Sequence, residues 1–215
     1  MRRLATLLIA TGLLGLGWVL VTVLWQEPVT AALASQEQHA LATQLRGRTA
    51  REPSLLRSSL ERDARAYRRA SSEGEAMGRL TIPRIGLRVV LVDGTAARDL
   101  RRGPGFYRGD YLPGEGRLVY VAGHRTTHGA PFSDLDKLRR GDRIAIALPY
   151  GSFTYRVTGH RVVKANAVWV LRSHRTEQLI LQTCHPRFSA SHRYLVYAEP
   201  IQRTRASLRP ARPHP

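Results

Sequence analysis

The chain has 215 residues, 43% of them hydrophobic, and a formal charge of +18 at pH 7. That length suits one globular domain with accessory segments and argues against two full domains. The charge selects anionic partners such as lipid head groups or wall polymers. Nucleic acid is set aside, because the amino terminus carries a membrane address.

That address is Met1-Arg2-Arg3 followed by an uncharged run from Leu4 to Trp25. Roughly 22 residues rise about 33 Å as a helix, enough for a hydrocarbon core. The two arginines keep the amino terminus cytoplasmic and place the rest of the chain outside the cell membrane. A cleaved signal peptide is the competing reading, with Ala32-Leu33-Ala34 as its A-x-A-like site. Its apolar region would run about 7–15 residues, and this one is longer, so residues 1–25 are read as a retained single-pass anchor. Residues 26–77 are polar, Ala-rich and Arg-rich, with a weak helical stripe at Leu55, Leu56, Leu60 and Tyr67. They read as a partly helical stalk or linker.

A domain spanning residues 78–200 follows. Strand-like stretches are Arg79–Pro83, Leu87–Val92, Leu118–Ala122, Arg143–Leu148, Ser152–Lys164, Gln178–Thr183 and Tyr194–Ala198. Short helices are expected at Thr95–Leu100 and Phe132–Arg140. Many short strands separated by Gly and Pro turns predict a mainly all-β closed barrel or sandwich. Residues 201–215 are basic and Pro-rich and read as a disordered tail.

The one cysteine, Cys184, lies in the part that faces an oxidising exterior. It has no internal disulfide partner, so it either bridges to another chain or is kept for its reactivity. It closes the strand Leu181-Gln182-Thr183-Cys184. His124 closes another, Ala122-Gly123-His124-Arg125, and Arg193 stands at the start of the last. A thiol acts as thiolate, a form that nearby cations favour. Histidine suits proton delivery to a leaving amine, and guanidinium suits a developing oxyanion. Against this, a lone cysteine is ordinarily an inert core thiol, which leaves a non-catalytic, basic envelope-binding module as the alternative. The four-residue spacing of His124 and His128 occurs in metal ligands, but needs a helix and usually a glutamate beside the first histidine. Arg125 fills that place, so no metal is expected. His128, His160, His185 and His192 are read as outside the chemistry.

Taken together these pieces resemble the sortase family, most closely its class E branch of actinobacteria. The resemblance rests on Gly78-Arg79-Leu80-Thr81-Ile82-Pro83-Arg84-Ile85-Gly86, Gly103-Pro104-Gly105, the run from Ala122 to Phe132, Leu181-Gln182-Thr183-Cys184-His185-Pro186, and Arg193. Ile180 stands where the family motif begins with threonine. The resemblance implies a closed eight-stranded barrel and a cysteine transpeptidase with Cys184 as nucleophile, His124 as acid/base and Arg193 as oxyanion stabiliser. It places Thr183 in the substrate groove and requires no cofactor. The implied partners are secreted proteins with a C-terminal Leu-Ala-x-Thr-Gly or Leu-Pro-x-Thr-Gly signal, and an amine acceptor from a peptidoglycan precursor or a pilin lysine. Ala165–Arg175 contains no acid, so the calcium site of some sortases is not expected. The Ser-His-Gly-Cys surroundings of an L,D-transpeptidase are absent, and papain-like peptidases place cysteine before histidine, the reverse of this order.

Overall fold

A computed structural model describes residues 2–25, 28–51, 59–173 and 176–205. Helix α1 (Arg2–Trp25) is the one helix among them long and apolar enough to cross a membrane, and none of Arg3–Val21 is buried against the protein. Helix α2 (Pro28–Arg51) follows. Helix α3 (Leu60–Ala70) opens on Ser59, whose hydroxyl accepts the Arg62 N–H, with Glu61 and Asp63 in its first turn and Arg68 and Arg69 in its last. These are the signs that complement a helix dipole.

The barrel is built from β1 (Ala76–Ile82), β2 (Leu87–Asp93), β3 (Gly105–Phe106), β4 (Leu118–Ala122), β5 (Arg143–Leu148), β6 (Gly151–Lys164), β7 (Gln178–His185) and β8 (His192–Arg205). It closes in the order β1-β2-β3-β4-β7-β8-β6-β5. All neighbours are antiparallel except β2 with β3 and β4 with β7. The expected helix at Thr95–Leu100 is α4 (Ala97–Leu100), whereas the one expected at Phe132–Arg140 is only a 3-10 turn at Leu135–Lys137.

Period-two alternation sorts the strands into an inside and an outside. Leu80, Ile82, Leu91, Val119, Val121, Ile144, Ile146, Leu179, Leu181 and Val196 fill the interior with Phe132 and Tyr155. A second layer lies outside the β4–β7–β8 sheet. There Tyr120, Ala122, Ile180 and Leu195 pack against Val163 and Val170, with Leu100 and Leu171 at the margin.

Two segments depart from the sequence reading. Residues read as a stalk lie against the barrel. Gln38 on α2 accepts the Val90 N–H at 2.7 Å and donates to the Val90 and Arg102 carbonyls. Gln44 accepts the Ala76 N–H, Arg48 pairs with Glu75 at 2.6 Å, and Leu41 is fully buried. On α3, Tyr67 donates to the Met77 carbonyl, and Arg68 grips Glu115 with two bonds of 2.8 and 3.0 Å. The α2 glutamines look polar in sequence, yet Gln38 satisfies the free side of β2 and Gln44 the start of β1, as backbone groups without a strand partner require. At the other end, β8 runs to Arg205 and pairs with β6 down to Gly151. Residues 201–205, assigned to the tail from composition, are therefore strand; 206–215 lie outside the described residues.

Candidate active site

β4 and β7 run parallel with Ala122 opposite Gln182, so both chains reach the same end of the barrel together. The Gly123 N–H continues this ladder to the Gln182 carbonyl at 3.0 Å, and His124 is the next residue. Gly123 is needed there. A Cβ would stand 2.6 Å from the ring of Phe132, which is fully buried. β7 and β8 pair antiparallel with Cys184 directly opposite Arg193.

Because Ile180, Gln182 and Cys184 share one face of β7, the thiol projects to the outside of the barrel rather than into its core. It is half-buried at the floor of a cavity of about 330 Å³ that His124 and Arg193 also line. Tyr107, Tyr120 and Gln182 add polar groups, and Leu100, Val168, Val170 and Leu171 form an apolar wall. Tyr120 donates to the Gln182 side chain, and burial pushes its phenol well above its ordinary range. Arg193 donates to the Ala190 and His192 carbonyls at 2.8 and 3.0 Å, which fixes the guanidinium at the rim.

His124 is shielded, and its Nε2 is buried with no hydrogen-bond partner among the described residues. Burial lowers its pKa below the usual histidine value, helped by His128 and Arg101 nearby. The imidazole is therefore neutral near pH 7 and able to take a proton.

Thr183 is placed differently from the expectation. It is 1% exposed, lies on the opposite face of β7 from Cys184, and donates to the Gly123 carbonyl at 2.9 Å. It does not line the cavity but ties β7 to the residue before His124. The correction follows from strand alternation, since adjacent residues cannot share a face. His185 lies on that other face too, with its Nδ1 2.9 Å from Arg125.

Arg125, read from sequence only as the residue displacing a metal-site glutamate, proves to be a central tie. At 4% exposure it donates to the Cys184 carbonyl and pairs with Asp136 at 2.7 Å. Nothing in its sequence spacing from Asp136 or Cys184 announces these contacts. Gln182 was legible, because it stands two residues before Cys184 on a strand. Among the described residues no three His, Cys, Asp or Glu side chains group as a metal site.

A closed β-barrel whose outer groove gathers a thiol, an imidazole and a guanidinium at neighbouring strand ends defines the class of protein. A sortase-domain family model matches residues 80–201, more than half of the chain, and the chain belongs to the sortase family. Sortase D of Bacillus subtilis (strain 168) is 37% identical over 133 residues, covering 60% of this chain and 65% of that protein. Sortase A of Bacillus anthracis is 25% identical, with 57% and 58% covered, so the chain spans less than two thirds of these curated relatives. Among solved structures, sortase E of Streptomyces avermitilis is similar with a TM-score of 0.56 and 30% identity, covering 63% of this chain and 93% of that one. Sortase E1 of Streptomyces coelicolor, solved with a tripeptide in its active site, gives 0.58 and 25%, with 63% and 94% covered.

Proposed function

We propose that the protein is a membrane-anchored cysteine transpeptidase that cleaves a C-terminal sorting signal after threonine and transfers the acyl group to an amine. The observation that carries this is the register of the outer groove: Cys184 faces Arg193 across β7 and β8, and His124 borders the same cavity. A half-exposed thiol at the floor of a groove also disfavours the alternative of a basic binding module with a packed structural cysteine.

Neutral His124 takes the Cys184 proton, and the thiolate attacks the threonine carbonyl carbon. Arg193 stabilises the oxyanion. Collapse of the tetrahedral intermediate breaks the C–N bond, and the imidazolium of His124 protonates the departing glycine amine, leaving a thioester on Cys184. An incoming amine from a peptidoglycan precursor or a pilin lysine then attacks the thioester, gives its proton to His124, and releases the thiol. Thr183 serves this chemistry by holding Gly123, and hence His124, against β7. Class E resemblance favours Leu-Ala-x-Thr-Gly over Leu-Pro-x-Thr-Gly as the signal. Helix α1 anchors the protein, with Arg2 and Arg3 cytoplasmic and the barrel outside.

The test is turnover of both peptides with an added amine, followed by mass spectrometry for a Cys184 adduct. Cys184→Ala is expected to abolish cleavage, transfer and adduct together. Transfer by that variant at the parent rate overturns the proposal.

A further inference from the structure

His128 was read from sequence as outside the chemistry, yet its ring stacks on His124 with centroids 4.7 Å apart and planes inclined by 25°. The five residues between the end of β4 and this ring do not form a helix; the loop folds back, so that the Phe132 N–H reaches the His124 carbonyl at 3.0 Å. His128 itself holds a left-handed backbone with φ of 53°, a conformation that histidine, asparagine and aspartate tolerate better than most side chains. Its Nδ1, like Nε2 of His124, is buried without a hydrogen-bond partner among the described residues.

The loop is held from outside the barrel by α2. The His128 N–H donates to Thr30 Oγ1 at 3.1 Å. A Cβ added at Gly129 would stand 3.2 Å from Cβ of Ala34, so the helix lies directly on this turn. Together with β2 they enclose a cavity of about 300 Å³ lined by Ala31, Ala34, Leu87, Val89, His128 and Pro131. The helix that follows the membrane span thus reaches the catalytic groove through one histidine.

We propose that His128 is a positioning residue for His124, fixing its imidazole by stacking, and that α2 locks His128 in place through Thr30 and Ala34. This deepens the transpeptidase reading and rests on His124 as its acid/base. The ring of His128 covers one face of the His124 imidazole, restricts its rotation and keeps water from it. The other charged or titratable groups around His124 are Arg101 after α4, Cys184 on β7, Arg193 on β8, and Tyr107 and Tyr120 in the cavity. A change in the titration of His124 on altering position 128 therefore reports the His128 ring.

The experiment uses the full chain in detergent micelles, with the His124 imidazole signal assigned from its loss in His124→Gln. His128→Asn keeps a residue that accepts the left-handed backbone and removes the ring. It is expected to move the His124 titration up toward the ordinary histidine value and to carry the acidic limb of kcat/KM with it. It should also lower kcat about tenfold, as loss of orientation does, with KM changed less than about twofold. His128→Phe retains a stacking plane without a titrating nitrogen, and should keep kcat within about threefold of the parent and leave the His124 titration low. Thr30→Val removes the acceptor at nearly constant volume and should give a smaller change in the same direction. A His128→Asn protein that is folded, with the parent titration and the parent kcat, overturns the inference. An active His124→Gln would overturn the transpeptidase reading instead, and the titration of His124 would still decide the stacking role.

Discussion

The two faces of the β4–β7–β8 sheet are made from the same strands and carry opposite tasks. Inside, Val121, Leu179, Leu181 and Val196 are completely buried and interlock with Phe132 and Tyr155. Outside, Ala122, Ile180 and Leu195 are buried as well, beneath Val163, Val170 and the margin residues Leu100 and Leu171. That cover ends at Cys184, which is half-buried and lines the groove. At the end of β7, Thr183 therefore packs inward while Gln182 and Cys184 line the groove, and changing a residue on one face should leave the other face's property largely alone. The lesson is that the barrel supplies rigidity to the chemistry without spending its interior on it.

The largest effect that would sharpen this contrast is expected at His124. His124→Ala should lower kcat/KM for peptide transfer by about two to three orders of magnitude, the scale of acid–base catalysis, while the unfolding midpoint in urea stays near the parent. A loss of stability on the same scale would mean that the groove is structural after all. On the inner face the pattern should reverse. Leu181→Ala should cost about 3 kcal/mol in urea unfolding, from lost burial plus a cavity, with turnover per folded molecule close to the parent.

Asp110, in the loop between β3 and β4, tests burial away from the groove through pH. It is 6% exposed, its Oδ2 has no partner among the described residues, and burial raises its pKa to about 6. A carboxyl raised above its unfolded value of 3.8 favours folding fully below that value and loses this contribution as pH rises through about 6. The cost of ionising it is on the order of 2–3 kcal/mol. Asp110→Asn should therefore flatten the stability profile between about pH 4 and 6, and raise the neutral-pH urea midpoint by part of that amount; an unchanged profile would show that Asp110 titrates normally. The smallest effect is expected at Thr183, which faces inward and holds the Gly123 carbonyl. Thr183→Val removes the bond to the Gly123 carbonyl and should cost about 1 kcal/mol of stability, with a several-fold fall in kcat as His124 loosens. A change in KM alone would argue that Thr183 contacts substrate instead.

The sequence by itself determined the elements with strong local signals. The uncharged Leu4–Trp25 run specified α1, alternation specified most of the strands, and the lone thiol with His124 and Arg193 at strand ends marked the groove. Strand period, had it been applied to β7, would have put Gln182 beside Cys184 and sent Thr183 to the interior. Tertiary structure alone decided the rest, because the partners are far apart in the chain. Gln38 and Gln44 are polar helix residues whose role exists only against the backbone of β2 and β1. Arg125 becomes a buried tie only when Asp136 and the Cys184 carbonyl converge on it. Residues 201–205 become strand because β6 is long enough to pair with them, which outweighs a composition that reads as a tail. His128 lies four residues from His124 on a turn that local propensity does not specify. Its left-handed backbone and its contact with Thr30 come from packing α2 onto the barrel, and that packing brings the two rings together.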